Sequence, residues 1–244
     1  MPVRSFKIIK QGSAPFDCFE PVDSKLMALK NLAGLGCGST VTYIESDAKI
    51  LVDTGFDFDN TLTDENVKEN RKRLTHALKL QGLKPSNIDI LFITHWHVDH
   101  FGNYKMFKNS TIMTSEAALS RVKIKVTGVK DGERIADGVK AVHTPGHTGH
   151  HASVVFNTDR LRRSIQTDSG GRILGVGEVT VAAAGDAVLT PAFYATETTW
   201  SQNKDFTSMD NAVASMKKLT NEADYIIPGH GDIFKNVRKP ANLK

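Results

Sequence analysis

The chain has 244 residues, 40% hydrophobic and 24% charged, the balance of a globular protein long enough to bury a sizeable core. Lys and Arg total 31 against 27 Asp and Glu, a formal charge of +4. So mild an excess permits contact with nucleic acid or an anionic substrate without demanding either, and its dispersal over Arg71–Arg73, Lys123, Lys125, Arg162, Arg163, Lys217 and Lys218 fits solvated faces better than a binding stripe. No apolar run approaches the ~20 residues of a membrane span. Met1–Phe6 lacks the apolar core of a secretory signal, so the expected location is cytoplasmic, with no membrane partner. The two cysteines, Cys18 and Cys37, form no CxxC pair and are expected to be reduced thiols rather than a zinc site.

No repeat, low-complexity tract or linker divides the chain, which is read as one domain over residues 1–244. Val41–Ile44 and Lys49–Val52 are β-branched runs separated by polar residues, which predicts a hairpin. From about Asp64 to Leu80, Val67, Leu74 and Leu78 share one helical face, and Gly82 and Pro85 supply the stop. Ile90–Ile93 is a continuous apolar run, as expected of a strand buried on both faces. Further strands are predicted at Thr111–Thr114, Val139–His143, Ala152–Phe156 and Val179–Ala184, with a long hairpin between Phe156 and Val179. Met209, Ala212, Val213, Met216 and Leu219 predict a helix over about Ser208–Asn221, its methionines serving the core. Tyr225–Ile227 is the last predicted strand and leads directly to Pro228-Gly229-His230.

Chemistry concentrates where these strands end. Thr94-His95-Trp96-His97-Val98-Asp99-His100 contains H-x-H-x-D-H. In an extended segment His95 and His97 point to one side, and Asp99 and His100 follow at the turn before Gly102, so four donors can reach two neighbouring positions. Imidazole and carboxylate are what zinc accepts when thiolate is absent. Three more candidates, His147, Asp186 and His230, follow predicted strands, and each is preceded by a glycine that lets the backbone turn and approach closely. Any one alone would read as an ordinary polar residue; their occurrence together, in order, points to a metal pair.

Asp53–Gly55, His95–His100, Thr144–His147, Gly185-Asp186 and Pro228–Gly231 together resemble the metallo-β-lactamase superfamily, in its order and over most of the chain. The resemblance implies an α/β fold, a four-layer αβ/βα sandwich. It implies that His95, His97 and His147 hold one metal, that Asp99, His100 and His230 hold a second, and that Asp186 bridges them. Asp53 is implied to orient a ligand imidazole. The cofactor expected is two divalent ions, zinc, with iron or manganese as alternatives for the same donors. Such ions lie ~3.5–4 Å apart and lower the pKa of a shared water towards about 7, so a bridging hydroxide is the expected nucleophile. Asp99 is also a candidate proton shuttle.

For the substrate three readings stand. The first is a small lactone, ester or thioester, because Val41 to His95 and Thr144–Ser153 resemble N-acyl homoserine lactonases and glyoxalase II-like enzymes. Here Tyr194, eight residues after Asp186, is a candidate catalytic donor to a substrate oxygen, against the simpler reading of a core tyrosine. The second is a nuclease or phosphodiesterase acting on RNA or DNA, because His95–Phe107 resembles the family of metallo-β-lactamase-domain-containing protein 1, associated with RNA cleavage. The third is β-lactam hydrolysis as a promiscuous activity. The spacing of 47 residues from His100 to His147 suggests a short lid and an open cleft. His150 and His151 are read as neighbours of the ligands, His76 and His143 as ordinary polar residues, and Gly36–Ser39 as a turn near the site. Dimers are the commonest soluble oligomer, so a homodimer is the expected assembly if there is one.

Overall fold

In the computed structural model the chain is described over residues 1–13, 38–57, 62–159, 161 and 177–240. Cys18, Cys37, Arg162, Arg163 and the glycines between 170 and 175 lie outside these residues, as does most of the connection between the two strands of the long hairpin. Twelve strands form two sheets among the described residues. The first sheet runs, in spatial order, β1 (Ser5–Lys10), β2 (Val41–Glu45), β3 (Lys49–Val52), β4 (Ile90–Phe92), β5 (Thr111–Ser115) and β6 (Thr127–Val129). The second contains β7 (Arg134–Ala136), β8 (Val139–His143), β9 (Ala152–Thr158), β10 (Val179–Gly185), β11 (Tyr225–Pro228) and β12 (Phe234–Lys235), with β7 at one edge and β12 at the other. The helices are α1 (Asp64–Leu80), the single turn α2 (Val98–Phe101), α3 (Pro191–Thr196) and α4 (Met209–Glu222).

The layering follows from side-chain alternation. Along β3, Ile50 and Val52 face the second sheet while Leu51 faces outward; along β10, Val181 and Ala183 face inward while Ala182 and Ala184 face outward. The inner faces meet in one core of Phe6, Ile44, Ile50, Val52, Ile90 and Phe92 against Val154, Phe156, Val181, Ala183 and Ile227. Phe6 and Phe156 touch across it, ring centres 5.2 Å apart. The outer face of the first sheet needs a cover, and α1 supplies Leu74 and Leu78 against Tyr43, Leu51 and Leu91. The outer face of the second sheet packs Val155, Ala182 and Ile226 against Met216 and Leu219 of α4. The result is the expected helix–sheet–sheet–helix sandwich.

Both long helices begin as their sequences require. Thr63 accepts a hydrogen bond from the Asn66 amide ahead of α1, and Ser208 accepts one from the Asn211 amide ahead of α4. Past the end of α1 the chain reverses at Gly82, whose φ of 74° favours glycine. The predicted hairpin, strands and two long helices are present. The edge strands β1, β6, β7 and β12, and the short helices α2 and α3, were not predicted. Most are only two to six residues long, too short for local periodicity to report, and β1 pairs with residues some thirty to forty positions away. Among the described residues no helix is long and apolar enough to cross a membrane.

Candidate metal centre

The seven predicted residues come from four places in the chain and converge on one site. The strands β3 and β4 run parallel, so Asp53 and His95 emerge side by side. Asp53 leaves β3 with a φ of 61°, a backbone state uncommon for a side chain larger than glycine's. Its carboxylate accepts from the Thr94 amide at 2.9 Å and the Thr94 hydroxyl at 2.8 Å, tying the two strand ends together. Strands β10 and β11 are likewise parallel and deliver Asp186 and His230 together. Glycine is required between them: a Cβ on Gly229 would collide with the Asp186 carboxylate, and one on Gly185, at φ 52°, would meet the Thr94 side chain at 2.9 Å.

Two groups result. His95 Nε2 lies 2.9 Å from His97 Nδ1, and His147 Nε2 lies 3.1 Å from the same atom. Asp186 Oδ2 joins them at 3.2 Å from His147 Nε2. In the second group, Asp99 Oδ2 is 3.3 Å from both His100 Nε2 and His230 Nε2. The other oxygen of Asp186, Oδ1, turns to this group, 3.2 Å from His100 and 3.5 Å from His230. Within each group the donor atoms all lie within 4.8 Å of one another.

The outer edges of the rings are fixed by partners that dictate which nitrogen faces inward. His100 Nδ1 meets Asp53 Oδ2 at 2.7 Å, as expected for Asp53. His230 Nδ1 donates to the carbonyls of Gly38 and Ser13, both at 3.2 Å. Of the Gly36–Ser39 segment, Gly38 and Ser39 are described and reach the site: besides Gly38, the Ser39 hydroxyl donates to the Asp99 carbonyl at 3.0 Å. His151 gives its Nδ1 to the Thr144 hydroxyl at 2.8 Å, and its ring centre lies 5.0 Å from that of His95. His143 contacts the Val129 carbonyl and Ser115, an ordinary polar role.

The residues fit a cation. His100 Nε2 and Asp186 Oδ1 are buried without a hydrogen-bond partner, although buried polar atoms almost always have one. Both point into the second group. Three inward imidazole nitrogens and a carboxylate oxygen, crowded together, form a donor set with nothing of their own to donate to except each other. The protonation pattern has the same origin. Burial lowers His95 well below its usual value, takes His147 down to about 4 and lowers His97. Burial acts on His100 and His230 too, but Asp99 and Asp186 overcome it, lifting His100 well above its usual value and His230 to about 10. Burial raises the two carboxylates, yet His100 and His230 hold both below the ordinary carboxylate range.

Tyr194 is a correction. It sits in α3, buried, and its hydroxyl donates to Asn236 Oδ1 at 2.8 Å while accepting from the Val237 amide at 3.1 Å. Its ring packs on Phe234 and under Arg238. The phenol is spent on the C-terminal turn and presents no donor to a substrate. Sequence spacing counted residues after Asp186 and could not see that α3 packs the ring into the interior beside Phe234 and Asn236. Conversely, Asp205 and Asn203, which approach His97 and His147, and Arg121, which holds Asp205, carried no motif.

Two facing sheets, helices outside and a paired His/Asp cluster at the strand ends make a sandwich with a candidate site for divalent metal. The sequence profile of the metallo-beta-lactamase superfamily matches residues 34–124. Metallo-beta-lactamase domain-containing protein 1 of Homo sapiens is 27% identical over 209 residues, 84% of this chain and 66% of that protein, just under two thirds of its length. An N-acyl homoserine lactonase of a Bacillus species is 26% identical over 47% of this chain and 56% of its own. Among solved structures, an N-acyl homoserine lactone hydrolase with N-hexanoyl-L-homoserine at its catalytic metal centre superposes with a TM-score of 0.59 at 18% identity, covering 94% of each chain. Residues 34–124 match the metallo-β-lactamase superfamily, the chain is similar to one such relative over most of its length, and it shares the fold of a solved lactone hydrolase.

Proposed function

We propose that this protein is a binuclear metal hydrolase acting on a small lactone, ester or thioester. His95, His97 and His147 would hold one ion, Asp99, His100 and His230 the other, and Asp186 both. The observation that carries the reading is the division of Asp186, whose Oδ2 serves one group and Oδ1 the other. Histidine and carboxylate suit zinc, with iron or manganese as alternatives. Divalent ions bound there would polarise a substrate carbonyl and make water acidic enough to act at neutral pH. Asp53 orients His100, the Gly38 and Ser13 carbonyls orient His230, and Asp99 is the carboxylate placed to pass a proton to the leaving oxygen. The lactonase match and the shared sandwich support the substrate class.

A second reading, a nuclease acting on single-stranded nucleic acid, draws on one feature of the surface. Trp96, Phe101 and Tyr104 line a cavity of about 270 Å³ with Arg121 and Lys123, and Phe101 and Tyr104 continue into one of about 440 Å³ beside Lys68, Arg71 and Lys105. Flat rings among cations suit bases and phosphates.

The deciding experiment sets a homoserine-lactone panel beside single-stranded RNA and DNA, using metal-quantified protein with His97→Ala as control. Lactone turnover lost in the variant is the expected result. Nucleic-acid cleavage without lactone turnover would replace the first reading with the second.

A further inference from the structure

Of the seven residues, six are buried and one, His97, is half-buried, so the first group opens to solvent at this ring. Its Nδ1 faces His95 and His147. Its other nitrogen, Nε2, points away from them and lies 3.8 Å from Asp205 Oδ2. Arg121 holds that carboxylate directly, and two further hydrogen bonds hold the segment that carries it. Arg121 donates to Asp205 Oδ1 at 3.0 Å, the Asp205 amide donates to Asn203 Oδ1 at 2.9 Å, and Asn203 in turn donates to the His147 carbonyl at 3.1 Å. Two residues further on, the Thr207 amide and hydroxyl both donate to the Gly146 carbonyl, at 3.0 and 3.1 Å. The segment 203–207 is therefore strapped across the loop that carries His147 and presents one carboxylate to the outer edge of His97.

The arrangement places a carboxylate on the outer side of His97, as Asp53 is placed for His100, but at 3.8 Å rather than 2.7 Å, a charge contact rather than a formed hydrogen bond. An imidazole that binds a metal through one nitrogen places its remaining N–H on a carboxylate or carbonyl, which fixes the tautomer and the ring. We propose that Asp205, anchored by Arg121 and Asn203, is the positioning residue for His97: it keeps the proton on Nε2 and so leaves Nδ1 bare towards the first group. The inference rests on the metal-centre reading for its purpose but not for its observable, since a tautomer exists without metal.

The test uses the full chain and the variants Asp205→Asn and Asp205→Glu. In metal-free protein, two-bond proton–nitrogen spectra of the imidazoles report the tautomer of His97. Wild type is expected to carry the proton on Nε2, Asp205→Asn to lose that preference and Asp205→Glu to keep it. Zn²⁺ titrated against a chelating dye then reads affinity. Asp205→Asn is expected to weaken one bound ion by roughly 10–100-fold, the usual cost of removing such a partner, while the other ion is unmoved and Asp205→Glu recovers most of the loss. Arg121→Met, which frees the carboxylate without removing it, is expected to fall between, and it tests the anchor if Asp205→Asn disturbs the segment's fold. Unchanged tautomer and unchanged Zn²⁺ affinity in Asp205→Asn would overturn the proposal. Wild type that binds no Zn²⁺ overturns the metal-centre reading instead, and the spectra still decide whether Asp205 governs His97.

Discussion

The two halves of the centre are built from the same residue types yet differ in how they are held. Asp99, His100 and His230 are all buried, and the interior supplies their outer partners, Asp53 and two backbone carbonyls. His95, His97, His147 and Asp186 open at His97, and the outer contacts of His97 and His147 come from the surface segment at 203–207. Charge divides the same way. The enclosed half keeps His100 and His230 protonated between two carboxylates, whereas the open half holds neutral imidazoles whose protons burial has driven off. The difference teaches that the enclosed half is organised before a cation arrives and must release protons to accept one, while the open half has its nitrogens bare and its geometry set from outside.

The comparison breaks most severely at the residue both halves share. Asp186→Asn removes a carboxylate oxygen from each, so metal content by atomic spectroscopy should fall from about two ions per chain to less than one, and hydrolysis should fall with it. Retention of two ions would mean that the division of Asp186 between the groups is incidental. Asp53→Asn acts on one half alone. It should weaken one ion by roughly 10–100-fold and leave the other as in wild type, because the amide cannot hold His100 as the carboxylate does. Equal weakening of both ions would erase the proposed independence of the halves.

Acidity sharpens the comparison further. His230 is raised to about 10, so the stability it lends the metal-free fold is complete below its unfolded value of about 6.5 and is lost as pH rises through 10. Thermal melts in chelator should therefore show a loss of stability across that window. Zn²⁺ affinity should climb over the same range, with calorimetry in buffers of different ionisation enthalpy reporting proton release. A flat profile would show that the carboxylates do not hold these protons. The smallest effect belongs to Tyr194→Phe. It deletes the hydrogen bond to Asn236, at a cost of about 0.5–1.5 kcal/mol in a denaturant melt, and leaves kcat and KM unchanged. A fall in kcat would return the phenol to the site.

The centre was legible because its residues are bound to sequence landmarks. His95 to His100 lie in one short segment, and His147, Asp186 and His230 each follow a glycine at a strand end, so type and spacing carried the information. The sandwich was legible where alternation is strong, as in β3 and β10, and invisible in β7 and β12, which are two or three residues long, and in β1, whose partner lies some thirty to forty residues away. Tyr194 shows the limit from the other side. Its distance along the chain from Asp186 suggested a role that the direction of α3 denies.

By itself, then, the sequence determined which side chains could bind a cation, the two long helices and the run of apolar strands, since these follow from residue chemistry and local period. Only the tertiary structure decided which oxygen of Asp186 serves which group, that Asp53 grips His100, that Asp205 and Arg121 stand outside His97, and that Tyr194 turns away. Each of these is a contact between residues far apart in the chain, fixed by how two sheets pack and where their strands end, and no local pattern encodes it.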